Sequence, residues 1–461
     1  MIESPEAPSL LDSPSPDSGP RPEQDGASNE TIATTLKTPS VLDTPAFGDR
    51  EAAAFVRGKK KGWRLRDQYR LKNSLLFGVG MLELANAGDF AANVWNEIPV
   101  PRFAMVLMAL GGTLALAISI FAFKDAHLSR ENIRNLRAER RFLHTQKADL
   151  GAEVSREVHC QLDINFRELG TEYVDRLGMD IVMGFGSVMV GFGTFLAIDG
   201  ANPRVFRASN LMSGYIGNAP VALYGLANAA FSVYVWRRAH RHSKAAAKET
   251  RSVVFRRRIL RVKTHAAVNA VTGIAAGAAS LVTATNWEGY PVLIPCIISA
   301  ITCNYLWRNR IGYDRPLVRQ RVILDKTSLM EELEHITSVR EIFRTADPTE
   351  WFSKVIPDPE SLVSGLEFLR SNDLFEDFCS RLLMDEALAS TILGPLGQEI
   401  VITEQSLLAA DKEMYPRIMG IGEETLKNTG PLRFKYRERY VLEALGCCLC
   451  SEGSARVTEK C

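Results

Sequence analysis

Glu83, Asn86, Asp89 and Asn93 stand three or four residues apart in the stretch ELANAGDFAANVWNEIP, residues 83 to 99. On a helix that spacing puts them on one face. The stretch begins inside an apolar run, where an ionised carboxylate near a bilayer midplane costs about 2.5 to 3.5 kcal/mol. Such acids line an ion or proton path when they meet water, and fasten helices together when they meet another polar side chain. Asp180, at the start of a later apolar run, joins the stripe as a candidate. No Lys or Arg stands mid-run elsewhere to pair with Glu83, so its partners are to be sought among Asn228, Asn269, Thr272 and Asn304. Helix-fastening is the commoner use of buried polar residues, and a transport path is the alternative.

The second group is Cys447, Cys448 and Cys450, in the run GCCLC behind the amphipathic RFKYRERYVLEAL. Cysteines clustered after a basic helix are candidates for S-acylation, which would pin the chain to a membrane. A zinc site needs four donors, and no His lies close to them in sequence. His240 and His242 form an H-x-H among arginines that would repel a metal. No H-E-x-x-H is present, no G-x-G-x-x-G follows a strand, and GKKKG lacks the P-loop spacing. Leu211 stands where an intramembrane serine protease would need the first glycine of its G-x-S-G. The residues therefore predict no catalytic constellation, no cofactor and no metal.

The elements that must position these residues follow from hydropathy. Residues 74–94, 102–123, 178–198, 212–236, 265–285 and 290–307 are apolar runs long enough to cross roughly 30 Å of hydrocarbon. They pair across the short connections NVWNEIPVPR, DGANPRVFRA and NWEGYP, which force antiparallel neighbours. The expected fold is all-α: a six-helix transmembrane bundle of three antiparallel hairpins, at 74–123, 178–236 and 264–307. Gly273 and Gly277 form a GxxxG suited to close helix packing. Inner-interface motifs such as FKDAH, WRRAH and WRNR, and an Asn followed by Pro in each outer turn, suggest a repeated hairpin.

Net charge is only +1, but it is segregated. The first fifty residues hold nine Asp and Glu against three Lys and Arg, with eight of the twenty-one prolines by residue 55. Residues 1–56 therefore read as a disordered Ser/Pro-rich tail, its Ser-Pro and Thr-Pro pairs open to phosphorylation. Residues 57–73 are a polybasic juxtamembrane segment. Lys and Arg also crowd residues 124–144, 237–263 and 308–321, whereas the short connections hold only Arg102, Arg204 and Arg207. The bias places both termini and both long loops in the cytosol, where the basic segments attract anionic inner-leaflet lipids. It also requires residues 74–94 to cross. Residues 124–177 read as a cytosolic helical loop, 237–263 as a basic loop, and 308–461 as a cytosolic helical region broken by Pro357, Pro359, Pro395 and Pro431.

The run from Glu83 to Arg130, the order of basic loops and NYLWRNRIGYDRP resemble a group of polytopic integral membrane proteins of filamentous ascomycete fungi. The resemblance spans roughly residues 60 to 446. It implies a fungal membrane setting and brings no activity or site residues. A non-enzymatic membrane scaffold or signalling protein, acting through cytosolic tails and their protein partners, is the leading expectation. A transporter or channel using the acidic stripe is the second.

Overall fold

The computed structural model describes residues 52–58, 62–66, 70–72, 82, 84, 85, 87–95, 99–149, 152–249, 252–284, 286–318 and 325–458. Glu83, Asn86, most of the N-terminal tail, Lys59 to Lys61 and Cys461 lie outside them. The chain opens with strands β1 (Ala52–Gly58), β2 (Gly62–Leu65) and β3 (Arg70–Leu71), followed by the short helix α1 (Phe90–Val94). Then come α2 (Arg102–Asp149), α3 (Ala152–Gly170), α4 (Met179–Ala197), α5 (Pro203–Asn210), α6 (Asn218–Glu249), α7 (Val253–Thr283) and α8 (Tyr290–Leu306). Strand β4 (Arg315–Pro316) leads into α9 (Lys326–Thr345), α10 (Trp351–Val355), α11 (Leu362–Ser371), α12 (Phe375–Leu382) and α13 (Glu386–Leu393). Strand β5 (Glu399–Thr403), α14 (Glu404–Leu408) and the long α15 (Tyr415–Thr458) complete it.

The chain is mostly helical, and five helices, at residues 102–148, 157–197, 203–247, 253–283 and 287–311, are long and apolar enough to cross a membrane. In α2, Phe103, Val106, Leu110, Leu114, Ile120 and Phe121 are exposed, a surface that fits hydrocarbon. Beyond Phe123 the exposed positions become Lys124, Arg130, Arg134 and Arg137. One helix of 48 residues therefore carries an apolar half and a charged half, and α3 returns beside the charged one.

The first apolar run behaves differently. Its described part is 3₁₀ turns and the five-residue α1 rather than a long helix. Leu82 and Ala85 pack with Ala115, Ile118 and Ala122, while Ala91 and Ala92 pack with Ala104 and Met108. Between them Gly88 lies against Gly111 so closely that a Cβ on Gly111 would collide with the Gly88 carbonyl. The segment thus runs antiparallel to α2. A second close approach joins α6 to α7: a Cβ on Gly225 would strike the Gly273 carbonyl, and one on Gly277 would lie 2.9 Å from Ala222 Cα. Gly273 and Gly277 accordingly pack helices within the chain.

Two of the outer-turn asparagines have a local purpose. Asn202 accepts from Arg204 N at 3.0 Å with Pro203 in the first turn, and Asn286 accepts from Glu288 N at 3.0 Å. Both cap a helix start, which accounts for the Asn-then-Pro pattern without a repeat.

The chain is not purely α-helical. β1 lies between β2 and β5 in an antiparallel sheet, with Phe55 opposite Leu65 and Ile400. Residues 52–56 are thus strand rather than tail, and part of the polybasic segment is β2. β3 pairs with β4, Leu71 opposite Arg315, tying the segment before the first apolar run to the one after the last. The expected basic loop is mostly helix, since α6 continues to Glu249 and α7 begins at Val253. Pro431 does not end α15, because Leu426 and Phe434, on either side of it, are wholly buried and hold the helix against its neighbours.

Candidate functional site

α15 is buried on every face from Arg439 to Leu449, and Glu443 stands in the middle of that stretch. A carboxylate there requires cations. Arg167 of α3 donates to it through Nε and Nη2, both at 3.0 Å. Arg238 of α6 donates at 2.8 Å and Arg258 of α7 at 3.3 Å. The three guanidiniums hold the Glu443 carboxyl well below the usual range despite its burial.

The network extends in both directions. Tyr313 accepts from Arg167 at 2.6 Å and donates to Glu168 at 3.0 Å. Glu168 accepts from Arg315, which also donates twice to Glu139, at 2.7 Å. On the other side Arg238 Nε donates to Asp163 at 2.9 Å. Four guanidiniums (Arg167, Arg238, Arg258, Arg315) face four carboxylates (Glu139, Asp163, Glu168, Glu443). Every partner is matched, so the arrangement is strong while intact and costly to break at one point. Beside it lies a cavity of about 50 Å³ lined by Arg167, Arg238, His242, Arg258, Tyr313 and Glu443. That is room for one or two waters and not for a metabolite.

The cysteines meet the same network. Cys447 accepts from Arg238 Nη2 at 2.9 Å, donates to Asp163 at 3.3 Å and lies 3.8 Å from His242 Nε2. Gly446 makes this possible: a Cβ there would stand 2.5 Å from His242 Nδ1. His242 is 205 residues away in sequence, so the expectation that no histidine accompanies these thiols fails in space. Asp163, His242 and Cys447 have donor atoms within 4.8 Å of one another and are the metal-capable group among the described residues. Arg238 already donates to two of the three, so the positive charge a metal would bring is supplied by the protein. Cys447 and Cys448 are buried and Cys450 half-buried. An acyl chain on either of the first two would require α15 to unpack.

The acids of the membrane part fall into two places. At the end of the apolar helices where α8 begins, Tyr290 donates to Asp89 at 2.9 Å and accepts from Asn93 at 2.7 Å. Asp89 is fully buried, and its second oxygen has no partner among the described residues. Phe90 meets the Tyr290 ring edge-on at 4.9 Å. Asp180 sits at the other end of α4, beside Asp125, which Arg176 holds at 3.0 Å. Since Ala197 packs near Ala91, the seventeen residues from Asp180 to Ala197 set the two acids about 25 Å apart. Asp180 therefore does not join Asp89 and Asn93 in one stripe.

Three of the four polar residues proposed as partners for Glu83 bond to side chains of α6, α7 and α8. Asn269 donates to Asn228 at 3.1 Å and to Ser232 at 3.2 Å, and Thr272 meets Ser299 at 3.1 Å. Glu443 was not singled out from the sequence, where its helix reads as amphipathic. The signal was there: the run VLEALGCCLC is apolar all round a helix, which marks burial, and an isolated Glu within it implies waiting cations. Compared with protein-family models, curated proteins and solved structures, the chain matches none.

Proposed function

We propose that this chain is an integral membrane protein of six crossings in three hairpins, with both termini cytosolic, acting as a non-enzymatic scaffold. The observation that carries the reading is Glu443. One carboxylate of the C-terminal helix is the common acceptor for arginines from α3, α6 and α7, so the cytosolic region is clamped to helices that enter the membrane. The antiparallel packing of residues 82–95 on α2 supports the sixth crossing. The basic segments support the orientation and contact with anionic lipids. A scaffold of this kind holds cytosolic protein partners at a fixed distance and angle from the bilayer.

A transport reading draws on Asp89, a wholly buried acid with an unmatched oxygen among the described residues. Proton and ion flux through liposomes containing the purified protein decides between the two. The scaffold reading expects no flux above empty liposomes. Sustained flux that Asp89→Asn abolishes would overturn it in favour of transport.

A further inference from the structure

A cleft of about 770 Å³ opens between β2, the charged half of α2, α12 and α15. Its size matches sites for small molecules, yet Phe55 and Leu65 are the only large apolar residues in its lining. Six cations border it, Arg64, Arg66, Arg70, Lys72, Arg134 and Arg433, against three acids, Glu131, Glu376 and Asp377. Three of the cations have structural partners: Arg66 pairs with Glu399, Arg70 with Asp373, and Arg433 with Asp377 at 2.7 Å. The side chains of Arg64, Lys72 and Arg134 make no ion pair or hydrogen bond among the described residues, and all three are exposed. Three exposed cations without a protein partner among the described residues thus border one cleft.

The three are also held in place by different elements. Arg64 is on β2, opposite Val56 of β1. The Lys72 carbonyl accepts from Asn132 Nδ2 at 2.9 Å and from Arg176 at 3.4 Å, which fixes the residue against α2. Arg134 stands on α2 itself, eleven residues past the end of the apolar run at Phe123, or about 16 Å along the axis. The cleft therefore starts at Lys72, close to where the chain leaves the apolar layer, and reaches into the cytosol.

Two guanidiniums and an ammonium lining one cleft favour an anion of several charges with many acceptor oxygens, which is the chemistry of clustered phosphates. We propose that this cleft binds a headgroup-sized molecule carrying two or more phosphates, presented either by an inner-leaflet lipid or free in the cytosol. Only the lipid source rests on the membrane reading above.

The test uses the full chain in lipid nanodiscs. Inositol hexakisphosphate is the soluble probe, followed by calorimetric titration. Nanodiscs containing phosphatidylinositol bisphosphate, compared with phosphatidylserine discs of equal total charge, supply the lipid probe, followed by thermal shift. The triple variant Arg64→Gln/Lys72→Gln/Arg134→Gln is expected to weaken binding at least about tenfold, since each charge near an anionic surface contributes on the order of a few-fold. The control Arg237→Gln/Arg241→Gln/Lys244→Gln removes equal charge elsewhere and is expected to leave binding unchanged. Arg134→Glu alone serves where the triple variant lowers the melting temperature. Binding of the soluble probe supports the cleft with a free ligand, and a shift with the bisphosphate lipid alone supports a lipid ligand. No binding of either probe, or equal loss in the triple variant and the control, overturns the proposal.

Discussion

Asp89 and Glu443 are both buried acids, and they are satisfied in opposite ways. Asp89 meets a tyrosine hydroxyl and, through it, an asparagine amide. Glu443 meets three guanidiniums. The surroundings explain the contrast. An arginine carried into hydrocarbon costs several kcal/mol, so an acid between membrane helices finds neutral donors. Past the membrane the helix extensions can carry arginine, and the C-terminal helix supplies the opposite charge. The contact around Tyr290 fastens two stretches weakly, and the one around Glu443 joins four helices in an arrangement that tolerates no missing member.

Breaking the centre around Glu443 should have the largest effect. Glu443→Ala leaves three guanidiniums without their shared acceptor and is expected to cost about 3–5 kcal/mol. Thermal unfolding in detergent should shift far downward, and limited proteolysis should begin to cut α15 in the folded protein. The same centre should show in acid. The Glu443 carboxyl is held below its free value, so its contribution is complete above about pH 4.5 and is lost as pH falls through the depressed folded value. The melting temperature should therefore fall more steeply below about pH 4.5 in the parent protein than in Glu443→Gln, which starts lower and lacks that carboxyl.

Gly446→Ala comes next, at about 1–3 kcal/mol, because the new methyl would displace the His242 ring. Adding His242→Ala should recover part of the loss, and additive losses would show that the two residues do not meet. Tyr290→Phe removes the hydroxyl shared by Asp89 and Asn93 and is expected to cost about 1 kcal/mol, in the range of polar contacts between membrane helices. Asp89→Asn should be milder still, since an amide oxygen can accept the same bond. A loss as large as that of Glu443→Ala would show that Asp89 carries a charge the fold depends on.

The legible parts of the fold were those written in local pattern. The apolar runs of α2, α4, α6, α7 and α8 announced themselves by length, and the α2–α3 hairpin by its apolar stripe amid charge. The strand EIVIT is a short apolar run without alternation, and its partner β1 lies more than 340 residues earlier and opens on three alanines, so the sheet had no signal at either end alone. The close approach of Gly88 to α2 in the first apolar run was not legible, because hydropathy does not register it. Of the candidate site, Asp89 and Asn93 were found and their link to Tyr290 was not. Asp180 was added from its place at the start of another apolar run, and its distance from Asp89 depends on how the helices pack. Glu443 and the Cys447–His242 contact depend on which helices come together, a property of packing that no single segment holds.

α2 has one further consequence. Its 48 residues form a rod of about 72 Å with no break where the apolar half gives way to the charged half. The angle of its apolar half is therefore the angle of its charged half. A tilt of about 5° at the outer end carries the far tip roughly 6 Å sideways, and tilt is how a long apolar helix adapts to a thinner bilayer. The tilt of the apolar half thereby sets where the charged tip of α2 lies.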